Sequence, residues 1–135
     1  MPIPESQVAA VVAEVSQRMS EPTYAQLAIG SFAQAHPDVG RYITAHLDDL
    51  GGGEAVMHAV FHAEVLNECF RRYLDRELPP VRFGDLDAAA RTGDPIERFR
   101  ATEPALADYV ATNVESEPMR RVLALVALAM SHKAR

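Results

Sequence analysis

The sequence predicts an all-α fold, a compact multi-helix bundle of about eight helices in a single domain spanning residues 1–135. Three observations lead there. Apolar residues recur at helical spacing along nearly the whole chain, and no stretch alternates with the period of two that a half-buried strand shows. Five of the nine prolines directly follow an acidic residue or histidine and open a helical run. One segment, Glu54 to Leu78, is both the longest helical run and the most apolar long one, so the other helices are expected to wrap around it.

The five proline pairs are Glu21-Pro22, His36-Pro37, Asp94-Pro95, Glu103-Pro104 and Glu117-Pro118. Proline suits the first helical turn, where its missing N–H had no partner in any case. Acidic residues there also favour the positive end of the helix dipole. The expected helices, in order, cover 5–20, 22–35, 37–50, 54–78, 85–92, 95–101, 104–115 and 118–132. The first carries Val8, Val11, Val12, Val15 and Met19 on one face; the second carries Tyr24, Leu27, Ala28 and Phe32. The third, with Val39, Tyr42, Ile43, Leu47 and Leu50, stops at Gly51-Gly52-Gly53, because glycine past a helix end takes the left-handed conformation that closes the last turn.

In the central helix Ala55, Ala59, Ala63, Leu66, Phe70, Tyr73 and Leu74 fall on one side and Glu64, Glu68, Arg71, Arg72 and Asp75 on the other. Val56, Met57, Val60, Phe61 and Val65 widen the apolar arc early on, so its first half is expected to be buried and its second half to emerge into water. Pro79-Pro80 ends it, and Val81 to Gly84 reads as a linker.

A shift of 67 residues aligns Ile29 with Ile96, Phe32 with Phe99, Pro37 with Pro104, Val39 with Leu106, Tyr42 with Tyr109 and Leu47 with Val114. Skipping three glycines aligns the central helix with the last at a shift of 64, placing His58 over Val122 and His62 over Val126. The pattern is that of an internal repeat, two helical halves of about 20–78 and 85–132, with the central and last helices as neighbours.

Composition excludes several classes of function. The net charge is −6 and there is no clustered basic patch, so nucleic acid is not an expected partner. No apolar run approaches the roughly 18 residues of a membrane span. The first residues, MPIPESQ, lack the basic-then-apolar pattern of a signal peptide, and a single cysteine, Cys69, fits a reducing cytoplasm. Twelve arginines to one lysine, with abundant alanine, is the composition of GC-rich bacterial genomes.

His58 and His62, four apart on one helix face, are the residues that point to chemistry, since that spacing can supply two metal ligands. Glu54 lies about 12 Å from His62 along the axis and cannot join them; a third ligand would come from His36, His46, Asp48 or Asp49. The glutamate that a zinc-protease helix carries after its first histidine is replaced by Ala59, and no Glu-x-x-His of the di-iron bundles is present. A divalent metal or a haem on His62 is therefore an alternative to the plain reading, neutral histidines bonded within the fold and no cofactor. Cys69, about 10 Å from His62 along the axis, reads as a buried small hydrophobe.

Met57, Phe61, Phe70, Tyr73 and Met130 are the candidate lining of an apolar ligand pocket. Val122, Val126 and Met130, in the apolar run 122–130 of the last helix, or else the central helix, are the candidate face for a homodimer. With a complete core pattern and no convergent catalytic set, the leading expectation is a non-enzymatic cytoplasmic interaction or scaffold module that binds another protein or itself. The alternatives are a metal- or haem-binding helical protein and a small apolar-ligand binder.

Overall fold

The structure, a computed structural model, describes residues 2–135. Nine helices and no strand are present among them: α1 (Glu5–Arg18), α2 (Pro22–Ala35), α3 (Pro37–Ala45), α4 (Leu47–Leu50), α5 (Gly53–Leu74), α6 (Phe83–Ala90), α7 (Pro95–Thr102), α8 (Pro104–Asn113) and α9 (Glu117–Lys133). All five proline pairs mark helix starts, with the proline in the first or second position. Two of these N-termini are capped: Asp94 Oδ1 accepts the Ile96 N–H at 3.0 Å, and Ser116 Oγ accepts the Met119 N–H at 3.3 Å.

Two boundaries differ from the sequence expectation. The run 37–50 is two helices, because the chain leaves helical geometry at His46 and re-enters it at Leu47. The central helix ends at Leu74 rather than 78. Asp75 adopts the left-handed conformation (φ 55°) and its N–H bonds the Arg71 carbonyl. Pro79 disfavours helical geometry at Leu78, so the chain unwinds early and Asp75, a residue that tolerates φ > 0, makes the turn. The following segment is no passive linker. It drives Leu78 and Val81 into the core, Val81 without any exposed surface.

Two helices organise the rest. α5 packs against α1, α2, α3, α4 and α9, and α9 packs against α4, α5, α6, α7 and α8. Every residue of α9 from Val122 to Met130 is buried. The burial of α5 differs from expectation, since it peaks in the middle of the helix. Residues 65–70 are buried all round, Asn67 and Glu68 included, whereas Met57 is 53% exposed and His58 lies on the surface. α1 reaches the second half of α5, where Glu14 pairs with Arg72, so that half is covered at its start, while Arg72 and, just past the helix, residues 75–77 emerge into water as expected.

The α2–α3 and α7–α8 junctions have nearly the same backbone: φ −133°, ψ 68° at His36 and φ −137°, ψ 74° at Glu103. At each, the junction N–H bonds the carbonyl of a buried phenylalanine, Phe32 or Phe99, at 2.8 Å. Each junction side chain is buried and accepts one distant backbone N–H. His36 Nδ1 accepts from Val81 at 3.1 Å, and Glu103 Oε1 accepts from Ile3 at 2.9 Å. Because Nδ1 accepts, the neutral His36 ring carries its proton on Nε2 and donates it to Asn67 Oδ1 at 2.9 Å. His36 thus joins the α2–α3 corner to α5 and to the segment before α6, while Glu103 joins the α7–α8 corner to the segment before α1.

A buried N–H that loses its acceptor costs more than an ordinary hydrogen bond contributes. His36→Ala and Glu103→Ala are each expected to lower the unfolding free energy by about 1–3 kcal/mol, read by urea denaturation. Glu103→Gln, which keeps an acceptor oxygen, is expected to lose markedly less than Glu103→Ala.

Candidate functional site

The histidines singled out by spacing do not converge. His58 is exposed. His62 is half-buried, and its Nδ1 lies 2.7 Å from the Tyr109 hydroxyl of α8, the two rings meeting edge to face at 5.7 Å. Burial, with His58 adding like charge, pushes the His62 pKa down to about 4, so the ring is neutral at pH 7. Burial likewise raises that of Tyr109, which stays a phenol.

The proposed third ligands are no better placed. His36 is 1% exposed with both ring nitrogens committed. His46 Nδ1 donates to the Tyr42 carbonyl at 2.8 Å, leaving Nε2 as its free acceptor. It faces a cleft of about 420 Å³ with Asp49, Glu117 and Arg121, and Asp48 is exposed. Among the described residues no three His, Cys, Asp or Glu side chains come together as a metal would need. Cys69 is buried, its thiol pushed up to about 12, chiefly by burial.

The apolar candidates scatter as well. Phe70 and Tyr73 border a cavity of about 280 Å³ beside Ile3 and Glu103. Met57 is exposed and Phe61 half-buried at the other end of α5. Val122, Val126 and Met130 do not form a partner face: they are 4%, 0% and 0% exposed, covered by the chain's own helices. The apolar run that looked too large for one domain to cover is covered because five helices surround α9.

The arrangement with an open surface and unmatched chemistry lies elsewhere, between α2 and α5. α2 has no charged side chain in its 14 residues, yet it buries only Phe32. Leu27 is 65% exposed, the largest value among the exposed large apolar residues. α7, which the 67-residue shift aligns with α2, buries Pro95 and Phe99 and packs closely on α9, whereas α2 stands off from α5. The gap is a groove of about 420 Å³, with Tyr24, Leu27 and Ala28 on the α2 wall and Glu64, Glu68 and Arg71 on the α5 wall.

Glu68 is nearly buried and held by Arg71, whose Nε donates to Oε1 at 2.6 Å; Arg71 also approaches Glu77 at 3.8 Å. Glu64 is half-buried, with no ion pair among the described residues. Its pKa is pushed up to about 8, first by burial and then by Glu68 and Glu77, against the pull of Arg71. It is therefore mostly protonated at pH 7. The helical period showed Glu64 on the polar face and Leu27 on the apolar face, but neither the stand-off of α2 nor the loss of solvent around Glu64 has a local signal.

No protein-family model matches this chain, and no curated protein or solved structure matches it either. Among the described residues, no helix is long and apolar enough to cross a membrane.

The His62 site makes two expectations measurable. Tyr109→Phe removes a part-buried hydrogen bond and should cost about 1 kcal/mol in urea unfolding. The folded pKa of His62 lies below its unfolded value of about 6.5. Its contribution is therefore fully present above about pH 6.5 and lost as pH falls from there toward 4. A His62→Gln variant should show a shallower fall in stability across that window than the parent.

Proposed function

We propose that this chain is a non-enzymatic helical interaction module whose docking element is α2, with the groove between α2 and α5 receiving part of a partner protein. One observation carries the reading: a 14-residue helix with no charge, in a chain of net charge −6, fully buries only Phe32 and leaves Leu27 65% exposed beside an open groove. An apolar face of that kind marks a surface that a partner covers. The catalytic and metal readings lack a comparable support, since the histidines are separate and each buried ring nitrogen is already bonded within the fold.

The fold suits such a role. The α5–α9 core is filled by buried side chains, and α2 is joined to it at Phe32 and through the His36 corner. The docking face is thus presented on a fixed support, and binding does not have to order it.

A photoreactive side chain at position 27, in the full chain produced in its own host, is expected to cross-link a discrete partner. The same group at Ser6, on the exposed face of α1, is expected to give no such product. Equal cross-linking at both positions would remove α2 as the docking element. Native mass spectrometry of the adduct then reads the mass of the partner.

A further inference from the structure

The groove walls differ in kind. The α2 wall is apolar and brings no charge, its one titratable group being Tyr24. The α5 wall and the residues just past it bring three carboxylates, Glu64, Glu68 and Glu77, to one guanidinium, Arg71. Arg71 is spent on Glu68 and on Glu77, and Arg72 also approaches Glu68 at 3.9 Å, so among the described residues Glu64 is the acid left without an ion pair. Burial first, then the neighbouring Glu68 and Glu77, outweigh the pull of Arg71 and favour its protonated form.

An occupant that complements this groove carries apolar side chains for Tyr24, Leu27 and Ala28 and a cation for Glu64. A helix is the shape that fits. The space lies alongside a helix of 14 residues, about 21 Å long, and helix-in-groove docking presents anchors at i, i+3 and i+4 along one face. A second copy of this chain is poorly matched, since it would bring a net charge of −6 to a groove lined by three carboxyl groups and one guanidinium. A nucleic acid or an anionic membrane is mismatched for the same reason.

Resting on the assignment of α2 as the docking element, we infer that the groove receives a basic amphipathic helix of a different protein, with a lysine or arginine that pairs with Glu64. The pairing converts Glu64 from acid to carboxylate. Its proton leaves to solvent as the salt bridge forms, so binding is coupled to proton release. Glu68, Arg71 and Glu77 are the other charged groups facing Glu64, and α2 adds only the phenol of Tyr24.

The test uses the full chain and two labelled synthetic helices on the order of four turns long. Both carry the same leucine and alanine anchors; one has lysine on the anchor face and the other glutamine there. Fluorescence anisotropy is measured with the parent, Glu64→Gln and Leu27→Ser, each checked for its helical circular dichroism. The parent is expected to bind the lysine helix about tenfold more tightly than the glutamine helix. That preference should grow from about pH 6 to about pH 9, as Glu64 ionises more readily, and vanish in Glu64→Gln. Leu27→Ser should weaken both helices.

Equal binding of the two helices, unaffected by Glu64→Gln but weakened by Leu27→Ser, would overturn the cation assignment and leave the docking element standing. Binding insensitive to Leu27→Ser, or no binding with a monomeric chain in sedimentation, would overturn the docking element itself. A dimer dissolved by Leu27→Ser, with neither helix bound, would give the groove to a second copy and overturn the basic partner.

Discussion

The fold depends on one constraint: α9 must be surrounded. Nine consecutive residues, Val122 to Met130, are apolar on every side of the helix, and burying large side chains of this kind is worth about 1.5–3 kcal/mol each. Such a helix cannot lie on a surface. α5 supplies one side and α4, α6, α7 and α8 supply the others, so the placement of half the molecule follows from hiding one strip of sequence. α5 is then fixed against α9 and becomes the support on which α1, α2 and α3 assemble.

Packing alone does not hold the corners. His36 and Glu103 sit at two helix–helix turns of nearly equal geometry, both buried, each accepting a backbone N–H from an extended segment far away in the chain. Burial would make these polar groups costly, but their partners offset it, and no buried side-chain N or O among the described residues lacks a bond. A second consequence is specificity of connection. Val81 and Ile3 are led to defined places before α6 and α1 begin, which orients those helices.

The residues that most resemble a site in sequence do not converge in space, and the groove that most resembles a site in space was silent in sequence. His58 and His62 attract notice because spacing is readable. Whether a third donor meets them is a question of where other helices go, and none arrives. Glu64 and Leu27 are individually ordinary. They acquire meaning because α2 stands off from α5, leaving Leu27 uncovered, while the bulk of α5 and its neighbours withdraws water from Glu64. The corners at His36 and Glu103, 67 residues apart, share one backbone geometry, whereas the 64-residue alignment fails at His58, which is exposed where Val122 is buried.

Local chemistry was enough for the helical class, the five proline-marked starts, the glycine stop at Gly51 and the burial of Cys69, because caps, turns and the 3.6-residue period act within a few residues. The break at His46 and the early end at Asp75 escaped it, since each reflects where the next segment must travel. The same limit hid where burial of α5 peaks, at residues 65–70. An apolar arc states which residues gain from cover but not which neighbour is free to provide it. Only the three-dimensional arrangement decided that α9 would be covered from within the chain and α2 left open, because burial is shared among distant elements and is won by those that the connections allow to meet.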